Sequence, residues 1–209
     1  MEDYKDHFLC QNIPTAPPGK IKLAIGLETL LKHKNFNSIT TAEIARVSGV
    51  NESLIYRYFT NKRGLLHFIL AEYLKETVRI IYADLQPLDS PVAKLRQLIW
   101  RTIENWRCNP VYAKILLLEV RNFQGYFKSE TYGIVMGYAK FIRALIREGI
   151  ARGEIRREVS PWFAMQVILG SIEHVVLPSI IFNQKLDADQ FTEKLCEVVF
   201  HGLATRRDA

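Results

Sequence analysis

A chain of 209 residues, 48% hydrophobic and 24% charged, has the composition of a folded globular protein and holds one or two domains of ordinary size. Its three cysteines, Cys10, Cys108 and Cys196, are odd in number and irregularly spaced, which excludes a disulfide scaffold and fits a reducing compartment. The formal net charge is +6, and residues 20–63 hold eight Lys/Arg against three acids, a concentration expected of a surface that meets nucleic acid or an acidic membrane.

The chain starts MEDYKDH, with no basic stretch followed by an apolar run, so no secretory signal is expected and the cytoplasm is the default. Residues 1–19 end in CQNIPTAPPG and read as a flexible arm. After it, helical punctuation recurs and no strand pattern is found. Ser90-Pro91, Asn109-Pro110 and Ser160-Pro161 each put a side-chain acceptor at the N-cap and Pro at the first helical position. Thr40 with Glu43 and Asp187 with Gln190 have capping-box spacing. These marks bound about nine helices, at 20–34, 41–48, 52–58, 62–85, 91–107, 110–121, 129–152, 161–182 and 188–204. The expected fold is all-α, a three-helix head at 20–66 followed by a larger helical body at 67–209. The helices at 41–48 and 52–58 are too short to persist alone in water, so they must pack on 20–34 and on the start of 62–85.

The informative string is ITTAEIARVSGVNESLIYRYFTNKRGLL at 39–66. Thr40 caps the first short helix, whose buried side is Ile44, Ala45 and Val47. Gly49 stands where the chain leaves that helix, at a position that suits positive φ. Asn51 caps the second short helix. Leu54, Ile55, Tyr58 and Phe59 are expected to point inward, and Glu52, Ser53, Tyr56 and Arg57 outward. Helix, tight Gly turn and a second helix with polar outward residues describe a helix-turn-helix, whose second helix enters the DNA major groove.

With Phe36, Thr40, Ile44-Ala45, Gly49-Val50, Tyr56-x-Tyr58-Phe59, Asn61-Lys62 and Leu65 in this order, residues 20–68 resemble the TetR family of transcriptional regulators. The rest of the chain resembles it in length and helix order. The resemblance implies a homodimeric, ligand-responsive regulator, a repressor that binds a palindromic operator and is released by a small molecule. It implies that Thr40, with Thr41 beside it, and Tyr56 contact phosphates and that Lys62 adds a charge contact. Ser53, Leu54 and Arg57 would lie nearest the base edges, with Asn51 and Glu52 at the rim of the footprint. Three residues depart from the family's habit. Glu52 puts an acid near phosphate, Ala42 removes a polar side chain, and Arg63 adds a positive charge where an acid is common.

In the body, residues 91–152 are rich in aromatic side chains, most of which helical spacing assigns to core. A cavity lined by such groups with a few polar anchors is the usual small-molecule site of a helical bundle. The candidates for a largely hydrophobic effector are Trp100, Trp106, Phe123 and Tyr138, with Glu119 and His174 as polar groups in apolar surroundings. The helix at 161–182 contains Glu173, His174 and Pro178 in its C-terminal half, so it reads as a protein-packed helix rather than a membrane span. It is apolar on two sides. Ala164, Ile168, Ser171, Val175 and Phe182 mark one; Phe163, Val167, Gly170, His174, Leu177 and Ile181 mark the other. With Phe191, Leu195, Val199 and Leu203 of 188–204 it is expected to form half of an intersubunit four-helix bundle.

No Gly-rich phosphate loop, nucleophile elbow or metal-ligand spacing is present, and the five His lie far apart. No enzyme, metal site or cofactor is expected. A helical module that binds acidic lipid through the same basic stretch is the competing class, but it leaves the ordered motif at 39–66 unexplained.

Overall fold

The computed structural model describes Leu9 and residues 16–203, with side chains through His201, so most of the expected arm lies outside the described residues. Nine α-helices follow one another, and no strand occurs among the described residues. They are α1 (Pro18–Leu31), α2 (Thr41–Ser48), α3 (Ser53–Phe59), α4 (Lys62–Leu85), α5 (Pro91–Cys108), α6 (Pro110–Lys114), α7 (Glu130–Ala151), α8 (Pro161–Phe182) and α9 (Ala188–Leu203). The chain forms two compact units. The first runs through Glu76 and takes in Lys114–Gly133; the second holds Thr77–Ala113 and the residues from Ile134 on.

In the first unit α1 packs on α2 and α3, as the shortness of those two helices requires. Leu23, Ala24, Leu27 and Leu31 of α1 are buried together with Ile44, Ala45, Ile55 and Phe59. Each fully covered large side chain contributes about 1.5–3 kcal/mol relative to exposure. Gly26 sets the closeness of this packing, because a Cβ there would stand 2.0 Å from Ser48 Oγ. The Thr40 hydroxyl accepts the Glu43 backbone N–H at 3.1 Å. The Glu43 carboxylate pairs instead with the Lys34 ammonium at 2.5 Å, which is the main cause that lowers its pKa. Gly49 has φ 61° and ends α2. Val47, expected in the core, is 40% exposed: in eight residues the inward arc ends with Ile44 and Ala45, and Val47 falls outside it.

In the second unit α5 turns Leu95, Leu98, Ile99, Ile103 and Trp106 inward and packs on α8 and α9. The Ser90 cap is realised, its hydroxyl accepting from Ala93 N–H at 3.1 Å and donating to Glu154 Oε2 at 2.6 Å. Ser160 and Asp187 cap α8 and α9 in the same way. Asn109 does not cap α6. Its amide instead donates back to the Asn105 carbonyl at 3.0 Å, and the helix soon passes into a π-helical turn, Ile115–Glu119.

The two sides expected of α8 are unequal. Ala164, Ile168, Ile172 and Val176 are buried, while Phe163 is 63% and Phe182 70% exposed. Phe182 therefore departs from Ala164 and Ile168, with which it was expected to share a side, because α8 ends there, with Asn183 in the left-handed conformation. His174 is exposed rather than buried. Among the described residues α8 is the one helix long and apolar enough to cross a membrane, with a mean hydropathy of 1.6 over its most apolar window.

Candidate functional site

The outward surface of α2 and α3 is built by exclusion: Ile55 and Phe59 are drawn into the head, which leaves Ser53, Tyr56 and Arg57 exposed. Tyr56 is 56% exposed. Thr40 is exposed and Thr41 half-exposed at the start of α2. The Asn51 side chain accepts the Ser53 N–H at 2.8 Å, so it starts α3 and stands at the edge of the exposed face. Glu52 is half-buried and already helical in φ and ψ. Leu54 is half-buried too, its Cδ1 only 3.1 Å from where a Cβ on Gly19 would stand, so part of its surface is used within the head. Arg57 lies with its guanidinium carbon 5.8 Å from the Tyr58 ring centre.

Lys62 is more committed than its sequence suggests. Its ammonium donates to the Phe36 carbonyl at 2.9 Å and to the Ile39 carbonyl at 2.5 Å, and lies 4.3 Å from the centre of the Phe36 ring. Burial first, and Arg63 second, lower its pKa, with Glu119 opposing. Two of its three N–H groups hold the turn before α2, and one remains. Arg63 turns inward as well, over Phe123 at 4.4 Å and Phe36 at 5.4 Å. Lys114 donates to the Asn35 side chain at 2.8 Å. The segment after α6 is therefore tied to the turn that leads into the motif. Sequence reasoning missed these ties; their partners lie 23 to 79 residues apart, and no local pattern signals such pairs.

The six effector candidates do not all belong to one unit: Glu119 and Phe123 lie in the first, Trp100, Trp106, Tyr138 and His174 in the second. Trp100 Nε1 donates to Asp189 at 2.7 Å beside a cleft of about 270 Å³. Trp106 is core. The Tyr138 hydroxyl meets Thr102 Oγ1 at 2.7 Å; burial raises its pKa and Thr102 partly offsets that. His174 lines a separate cleft with Val175, Pro178 and Phe191. Glu119 ends the π-helical turn and Phe123 is largely exposed. No group of His, Cys, Asp and Glu among the described residues is placed to hold a metal ion.

His67, in the first unit, carries a pH dependence. Burial first and the Arg63 charge second hold its pKa below the ordinary 6.5, so the fold favours the neutral ring. The stability this contributes is complete above pH 6.5 and is lost as the pH falls through the lowered folded value. Thermal melts taken downward from neutral pH are expected to lose stability from pH 6.5 down to that lower value, and His67→Gln to flatten this part of the profile. An unchanged profile in the variant would assign the acid sensitivity to other groups.

Thr-capped helix, left-handed Gly turn and a second helix with Ser53, Tyr56 and Arg57 outward define a DNA-binding transcription regulator of the helix-turn-helix class, not an enzyme. The model of bacterial regulatory proteins of the tetR family matches residues 27–69, and that of the C-terminal region of YsiA-like proteins matches residues 70–202. The chain belongs to the TetR family.

It is similar to the fatty acid metabolism regulator protein of Bacillus subtilis (strain 168), 23% identical over 174 residues that cover 83% of this chain and 90% of the relative. Its fold is that of the fatty acid degradation regulator FadR from Bacillus halodurans, with a TM-score of 0.81 at 21% identity over 91% of this chain and 99% of that one. The transcriptional regulator FadR from Bacillus subtilis, solved in complex with stearoyl-CoA, aligns with a TM-score of 0.79 at 22% identity over 87% and 98%.

Proposed function

We propose that this regulator is a homodimeric repressor that holds a palindromic operator and releases it when a largely hydrophobic effector, a long-chain acyl-coenzyme A, binds its body. The observation that carries the reading is that head and body match one family in continuous order over residues 27–202, alongside a relative that regulates fatty acid metabolism.

On the DNA side, Thr40, Thr41, Tyr56 and the remaining N–H of Lys62 serve phosphates, Ser53, Leu54 and Arg57 stand nearest the bases, and Asn51 and Glu52 sit at the rim. On the dimer side, Phe163, Val167 and Val198 remain exposed along α8 and α9 around a groove of about 700 Å³. An apolar surface of this kind marks an interaction site, and a second copy of α8 and α9 completes a four-helix bundle. We therefore read α8 as a dimer helix and not a membrane span, and the protein as cytoplasmic. The two-fold dimer sets its α3 helices about 34–36 Å apart, or a multiple, to meet successive major grooves. The effector contacts assigned to Trp100, Trp106, Glu119, Phe123, Tyr138 and His174 belong to the same proposal.

The test is fluorescence anisotropy with duplex DNA flanking the protein's own gene. Wild type is expected to bind it in preference to scrambled duplex, with Tyr56→Phe and Arg57→Ala each weaker. Stearoyl-CoA should release the complex where coenzyme A alone does not. Equal affinity of stearoyl-CoA for free and DNA-bound protein would remove the release mechanism, since coupling between two ligands is reciprocal.

A further inference from the structure

Two buried nitrogen atoms without a hydrogen-bond partner, Arg63 Nη1 and His67 Nε2, lie one helical turn apart on α4. Residues four apart share a helix face, and the Arg63 charge acts on the His67 ring. The Arg63 guanidinium rests against Phe123 and Phe36 and forms no ion pair among the described residues. Arg63 is half-buried, and a covered N–H without an acceptor is costly; the planar edge of guanidinium N–H groups suits the oxygens of a phosphate or carboxylate. His67 is held from its other side, Nδ1 lying 3.4 Å from Thr131 Oγ1 and the ring parallel to Tyr126. The Thr131 hydroxyl lies 3.4 Å from both Nδ1 and the His67 carbonyl; where it donates to Nδ1, the ring proton is on Nε2, which has no hydrogen-bond partner. His67 also borders a cleft of about 300 Å³ that Lys20 and Thr131 help to line. The acid at its rim, Glu130, is paired with Lys75 at 2.8 Å.

We propose that Arg63 and His67 form a receiving site for a phosphate group, the anionic end of the effector. This rests on the acyl-coenzyme A reading above and adds to it where the charged part of that molecule is held. A DNA phosphate is the poorer fit. The residues assigned to DNA, Ser53, Tyr56 and Arg57, are exposed, whereas Arg63 Nη1 and His67 Nε2 are covered from solvent. A duplex backbone follows the outer surface and does not meet atoms covered in this way.

The experiment follows the His67 imidazole signals by NMR, assigned with His67→Gln, in the full-length wild type and in Arg63→Gln and Arg63→Lys. Inorganic pyrophosphate and stearoyl-CoA are the probes. Both are expected to shift the His67 signals in wild type and not in Arg63→Gln, with Arg63→Lys in between. Calorimetry should show stearoyl-CoA binding weakened about ten- to a hundredfold by Arg63→Gln, the loss expected for a charged hydrogen bond. Thermal melting and duplex binding of each variant report whether the head still folds.

Stearoyl-CoA that binds wild type and Arg63→Gln equally would overturn the site and leave the effector reading standing. A His67 shift with pyrophosphate that depends on Arg63, without any binding of stearoyl-CoA, would keep the anion site and overturn the effector. No shift with either probe would overturn the site.

Discussion

Replacing Gly64 by alanine is expected to destabilise the protein by about 2–3 kcal/mol, as overpacking of a tight contact does, and to weaken duplex binding with it. A Cβ on Gly64 would stand 2.0 Å from the Phe59 carbonyl oxygen and 3.1 Å from its carbon. Those are backbone atoms at the end of α3, so no side chain can swing away to make room. The chain is already constrained there, because Thr60 adopts φ 68° and the Asn61 side chain accepts the Gly64 N–H at 2.9 Å. Relief of the clash has to displace α3 from the start of α4, which re-aims Tyr56 and Arg57. In a thermal melt the loss corresponds to a fall of roughly 5–10 °C for a chain of this size. Gly137→Ala is the control. A Cβ there meets nothing within 4 Å, and the change should stabilise α7 by about 0.5–1 kcal/mol. A Gly64→Ala protein that melts like wild type would show that the close approach at Phe59 is not maintained in solution.

The second large effect is expected of Lys62→Met, which keeps an apolar stem beside Phe36 and removes the ammonium. The Phe36 and Ile39 carbonyls then lose their donor. The cost is about 1–2 kcal/mol, below the full value of two charged hydrogen bonds because Lys62 is partly exposed and water can replace it. The remaining N–H gives a separate readout. If it serves a phosphate, the slope of log affinity against log salt falls in magnitude by about one in the variant. Melting reports the hold on the turn before α2, and the salt slope reports the DNA contact. A variant that melts lower with an unchanged slope would make Lys62 a strut of the motif alone.

Much of this protein was legible before any coordinates. The Thr40 cap and the Asn51 cap satisfy backbone groups two or three residues away, and the Gly49 turn rests on that residue's own left-handed conformation; each forms as its spacing implies. The Ser-Pro starts of α5 and α8 are local in the same sense. Misplacements arose where a second neighbour decides. An apolar helix such as α8 announces two sides, but which one is covered depends on α5 and α9, and His174 fell on the uncovered one. Asn109 had a choice of partner, and the Asn105 carbonyl one turn back took its amide.

The sequence by itself determined the helical order, most of the helix caps and the head that carries Ser53, Tyr56 and Arg57 outward, because these depend on hydrogen bonds and periodicities spanning a few residues. Only the tertiary structure decided what the cations do. Lys62 and Arg63 read alike as positive charge beside a recognition helix, yet one closes on the carbonyls of Phe36 and Ile39 and the other lies against Phe123. A charged side chain can satisfy its donors wherever the fold brings an acceptor or a ring, and the partner that wins is fixed by packing between residues far apart in the chain.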